Sequence, residues 1–109
     1  MTPAGAIAML DRQIAAHGQN AKLERLSPAA LGDVRVFFRG YRPEELSGGI
    51  QQGDSTAVLS PTSLKTSGLP GLPAVNWKLT ISGRKRNVQA VEPVEMDGVL
   101  VRVNLWLRG

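Results

Sequence analysis

The sequence predicts a mainly β fold: a small antiparallel β-barrel of about six strands, with one N-terminal α-helix and two long loops. Three observations predict it. Residues Val75 to Ile81 and Val99 to Leu107 alternate with period two, the mark of half-buried strands. Helical spacing is confined to the first segment, so there is no βαβα alternation and a doubly wound nucleotide-binding sheet is not expected. Finally, 109 residues make one small domain, 1–109. At that size, short strands with one apolar face must close on themselves or stack.

The helix is expected over about residues 3–17. Thr2 suits the N-cap, Pro3 the first helical position, and Gly18 the position just past the end. Ile7, Leu10 and Ile14 form its apolar stripe. So short a helix is marginal alone and must dock on something. The barrel follows over about 21–109. Ala21 to Leu26 is a weak strand, and Val34, Val36 and Phe38 share a face in the next. Thr56 to Ser60 is a short strand stopped by Pro61. Val75, Trp77, Leu79 and Ile81 face the core in the fourth, and Val88 to Val91 pairs with it across a turn at Gly83-Arg84-Lys85-Arg86. Asp97-Gly98 supplies the last tight turn, because both residues tolerate positive φ. The final strand places Val99, Val101, Val103, Leu105 and Leu107 on one face. Leu100, Arg102, Asn104 and Trp106 fall on the other.

Composition excludes several kinds of chemistry. The chain has no Cys, which removes disulfides, zinc ribbons and thiol nucleophiles, and its one His, His17, cannot build a multi-histidine metal site. His17 falls at the helix end, where a cationic ring would favour the helix dipole. The serines Ser47, Ser60, Ser63 and Ser67 have no nearby base, and GxSxG is absent. Glu44, Glu45 and Asp54 match no calcium-loop spacing. We therefore expect no enzyme, cofactor or metal. No apolar run approaches the roughly 18 residues of a membrane span, and Met1 to Gly5 lacks the basic and apolar regions of a secretory signal, so a soluble, cytosolic chain with no membrane contact is expected. The net charge of +4 permits an anionic partner without requiring one.

Two stretches exceed a minimal barrel: Gly40 to Asp54 (GYRPEELSGGIQQGD) and Pro61 to Ala74 (PTSLKTSGLPGLPA). Each is near the roughly 12–15 residues above which structureless loops become uncommon and are often functional. Gly48, Gly49 and Gly53 lack the Lys-Ser/Thr of a P-loop and read as backbone freedom. Arg39, Tyr41 and Arg42 open the first loop with residue types enriched at binding hot spots. Trp106, Phe37 and Leu100 read either as an apolar patch outside the barrel or as a small second core under the helix. Arg84, Lys85 and Arg86 read as a basic hairpin tip, able to meet DNA phosphate or simply to guard a solvated sheet end.

RGYRPEELSGGIQQGD followed by TAVLSPTSL resembles a family of small tailed-phage and prophage proteins, the head–tail joining (neck, connector or stopper) proteins. ISGRKRNVQAVEPV resembles a hairpin section of that family and GVLVRVNLWLRG its closing strand, so the resemblance spans Ala6 to Gly109. It implies a small β-barrel with long loops and no catalytic residues. It implies a homo-oligomeric ring, a hexamer for a stopper, between the portal-bound adaptor protein and the tail terminator or tail tube protein. The place implied is the virion neck, reached from the host cytoplasm during assembly. One loop would project toward the channel and help retain packaged DNA. Positions matching the loop motif are Arg39, Tyr41, Arg42, Glu44, Glu45, Gly48, Gly49, Gln51, Gln52 and Asp54, expected at an intersubunit or channel position. Leu64, Lys65, Leu69 and Leu72 are the second expected interface, and Arg84, Lys85 and Arg86 the DNA-facing tip. The competing expectations are a tail terminator or tail-completion protein, and a small nucleic-acid-binding β-barrel.

Overall fold

Helix α1 spans Pro3–His17, as its capping residues predict. The computed structural model describes residues 2–26, 29–40, 54–69 and 71–108. The Thr2 side chain accepts the Gly5 N–H at 3.0 Å, which satisfies one donor of the first turn. At the other end Gly18 is extended rather than left-handed, so its need is steric. A Cβ there would lie 2.4 Å from the Ile14 carbonyl oxygen and 2.8 Å from that of Val36. The glycine thus lets the helix end press against the next strands. Arg35 completes the closure: its Nε donates to the Ile14 carbonyl (3.1 Å) and its Nη2 to that of Ala15 (3.2 Å). A cation at a helix C-terminus also favours the dipole.

The strands are β1 (Gln19–Leu26), β2 (Ala29–Gly40), β3 (Ser55–Leu59), β4 (Lys78–Ile81), β5 (Arg84–Met96) and β6 (Val99–Arg108). They form a closed antiparallel barrel in the order β1-β2-β3-β6-β5-β4, as the alternation predicts. Closure removes the exposed sheet edges that invite aggregation. Inside lie Leu23, Val36, Leu59, Leu79, Val88, Val103, Leu105 and Leu107, each essentially inaccessible. Two tight turns among the described residues use positive φ: Ser82-Gly83 at 54° and 76°, Asp97-Gly98 at 52° and 77°.

Two expectations about this part of the chain need correction. The fourth strand does not begin at Val75. Asn76 takes a left-handed φ of 76°, which breaks the alternation and leaves Val75 exposed, while Trp77 still turns into the core. The turn after β4 is Ser82-Gly83, so Arg84, Lys85 and Arg86 belong to β5 rather than to the turn.

The second expected loop is the larger revision. Pro61–Ser67 is a helix, α2. The Ser60 side chain caps it by accepting the Thr62 N–H at 3.2 Å, and Gly68 ends it at φ 77°. Leu64 joins the barrel's core cluster and Leu69 packs against it. Gly32 makes room for this, since a Cβ there would sit 2.8 Å from Leu69 Cγ. The Thr62 hydroxyl donates to Asp11 at 2.8 Å and ties α2 to α1. On the outside of the barrel, Leu10 and Ile14 of α1 cover Val58 and make a small second core. Burying each of those two side chains contributes on the order of 1.5–3 kcal/mol, enough to hold a helix that is marginal alone.

Candidate functional site

The period-two rule places Phe37 and Arg39 of β2 on the outer face, beside Thr56 and Val58 of β3 and Arg102, Asn104 and Trp106 of β6. Together they line a groove of about 690 Å³. Phe37 is 36% exposed, and Arg39 and Arg102 are exposed at its sides. A smaller hollow of about 290 Å³ continues under α1 between Leu10, His17, Phe37 and Arg102. Arg39, which lines the groove, comes one residue before β2 finishes at Gly40, and Trp106, which also lines it, bonds Asp54, where the described chain resumes.

Its polar groups are arranged in two sets. Asn104 Nδ2 donates to Glu92 at 2.8 Å, while Asn104 Oδ1 is buried without a partner among the described residues. Asp54, only 4% exposed, accepts from Trp106 Nε1 at 2.9 Å. It also takes Arg108 in a two-pronged pair, Nε at 3.0 Å and Nη2 at 3.1 Å. The Arg108 guanidinium lies 5.4 Å from the Trp106 ring centroid. The hydrogen bond to Asp54 holds the Arg108 guanidinium above its ordinary pKa, a pull that desolvation partly offsets. A raised value means its contribution is fully present at neutral pH and is lost only in strong alkali.

These contacts redistribute the sequence-predicted residues. Arg39 sits at the groove with Nη1 on the Gly40 carbonyl at 3.2 Å. Tyr41, Arg42, Glu44, Glu45, Gly48, Gly49, Gln51 and Gln52 lie outside the described residues. Asp54, expected at an interface, is instead a buried anchor. Leu64 and Leu69, expected on a second interface, face the core; Lys65 and Leu72 are exposed. The basic tip does not stay together either. Arg84 and Lys85 are exposed, and Lys85 Nζ meets Glu24 at 3.3 Å. Arg86 pairs in register with the core residue Leu79 and so points inward. The predicted outer patch is half right: Phe37 and Trp106 share the groove, but Leu100 packs against the barrel core.

Sequence reasoning missed Arg108 and Arg35. Each stands on the outer register of an alternating strand, and that was the available signal. Among the described residues no group of three His, Cys, Asp or Glu is placed to hold a metal ion, and no helix is long and apolar enough to cross a membrane. Compared with models of protein families, with curated proteins and with solved structures, the chain matches none.

Proposed function

We propose that this protein is a structural component of a tailed-phage or prophage neck, a stopper-like ring subunit joining the portal-bound adaptor to the tail. The observation that carries the reading is a juxtaposition. The RGYRPEELSGGIQQGD element joins two strands of a closed barrel, and its described end residues belong to an outer groove: Arg39 lines it with Phe37, Trp106 and Arg102, and Asp54 is bonded to Trp106. Aromatic and arginine side chains are the types most enriched at binding hot spots. A ring contact is heterologous, so each subunit needs two different surfaces. The buried Asp54 supports this reading in a particular way: it fixes one root of the element rigidly against Trp106 and Arg108. In this role the chain acts by being positioned, and no catalysis is required of it.

Electron microscopy of the purified chain, and of neck particles carrying a labelled copy, tests the proposal. Rings of the chain, with the label between portal and tail tube, are the expected result. A persistent monomer that binds DNA alone, with affinity falling steeply between two salt concentrations, would overturn it in favour of a nucleic-acid-binding barrel. The inward turn of Arg86 leaves that second reading with fewer exposed cations than the sequence suggests.

A further inference from the structure

We propose that the barrel mouth at which β2 ends and β3 begins is a carboxylate-accepting seat built from Arg86 and Ser55. α2 closes the opposite end through Leu64, which joins the core cluster. Ser55 follows the inward register of Ala57 and Leu59, is 2% exposed, and its Oγ is buried with no hydrogen-bond partner among the described residues. Arg86 lies two residues before the core residue Val88, on the same inward face. The two positions are linked across the sheet, because Ser55 pairs with Leu107 and Leu107 with Val88. The guanidinium of Arg86 lies 4.8 Å from the Phe38 ring centroid, and its Nε is buried without a hydrogen-bond partner among the described residues.

Unpartnered buried donors are rare in folded proteins and call for an explanation. Here the cation has an aromatic face for company but no acidic partner among the described residues, and Arg84 nearby adds charge of the same sign. Burial first and Arg84 second push the Arg86 pKa below its ordinary value. What is missing is an acceptor bearing one negative charge. A carboxylate supplies two oxygens, one for Arg86 Nε–H and one for the Ser55 hydroxyl, and its apolar stem suits a frame of Phe38, Leu107 and Val88. A phosphate dianion would leave oxygens and charge unpaired in that frame. The occupant is an acidic side chain of another chain, and the test separates it from the Glu44 and Glu45 carboxylates of this chain.

The test follows the Arg86 Nε–Hε resonance and the melting temperature during titration with acetate against chloride at constant ionic strength. It uses the wild-type chain and the E44Q/E45Q variant. A saturable Arg86 shift with stabilisation in the wild type supports a seat open to another chain's carboxylate. A response confined to E44Q/E45Q overturns that occupant in favour of a seat filled from within. R86M should melt higher than wild type without acetate, since an apolar side chain replaces an uncompensated cation, and should lose the acetate response. S55A, a milder change, should weaken acetate binding severalfold while remaining folded. No response in either the wild type or E44Q/E45Q overturns the proposal. So does an acetate response that survives in R86M and S55A, or a stronger response of the same resonance to inorganic phosphate.

Discussion

Asp54 shows how one side chain can be misassigned from sequence and still matter to the site. It closes the GYRPEELSGGIQQGD stretch and reads there as a loop carboxylate. In the fold it is buried, holding Trp106 and Arg108 from the far end of the chain. Its partners are more than fifty residues away, a separation that no local spacing rule reaches. The bond from Trp106 Nε1 is one to a charged acceptor, a class that contributes roughly 1.5–3 kcal/mol. Trp106→Phe keeps a six-membered aromatic ring on the groove and removes the donor together with the pyrrole part of the indole. It should therefore lower stability by about that amount, read from the midpoint of urea unfolding at unchanged slope. A variant as stable as the parent would mean that the carboxylate is satisfied without Trp106. Arg86 offers the complementary lesson. Placing the turn at residues 83–86 instead of 82–83 puts the arginine outside, and because strands have a period of two, this small displacement decides which face it takes.

Among elements, the long alternating strands were legible and α2 was not. Val103, Leu105 and Leu107 are recognisable as core because alternation repeats often enough to fix the face. Seven residues give a helix too few repeats, and Leu64 is the one residue of PTSLKTS that becomes buried. The punctuation was nevertheless present: Ser60 before Pro61 at the start, Gly68 just past the end. Cap and burial contribute separately, so two substitutions divide the element's stability. Ser60→Ala removes a cap and should cost about 1 kcal/mol. Leu64→Ala leaves a cavity in the barrel end and should cost roughly 2–5 kcal/mol. The order, with Leu64 the larger, is the checkable outcome by chemical denaturation. A cap loss equal to the core loss would show that α2 is held by its own turn rather than by the barrel.

At the scale of the molecule the groove and the core are separable, and that separation gives the functional proposal its sharpest test. The core side chains form one cluster spanning all six strands. Leu79→Ala should therefore weaken the whole barrel by roughly 2–5 kcal/mol. It should do so in one transition seen alike by the fluorescence of Trp77 and Trp106 and by far-ultraviolet dichroism. Arg102 belongs to the other half of the design. It is exposed, lines the groove beside Phe37 and Trp106, and lies on the same register as Asn104, which holds Glu92. Charge reversal there removes no core contact, so Arg102→Glu should change stability by no more than about 0.5 kcal/mol. It should instead put a second acid next to Glu92 and alter the groove's charge. If the groove is a subunit contact, self-association should weaken about tenfold or more, equivalent to roughly 1.4 kcal/mol, in sedimentation velocity of folded protein. Unchanged self-association by a fully folded Arg102→Glu variant would move the subunit contact away from this face. A weakened assembly with an unchanged melting curve would place function on the outer groove and folding on the barrel interior, two surfaces drawn from alternate residues of the same strands.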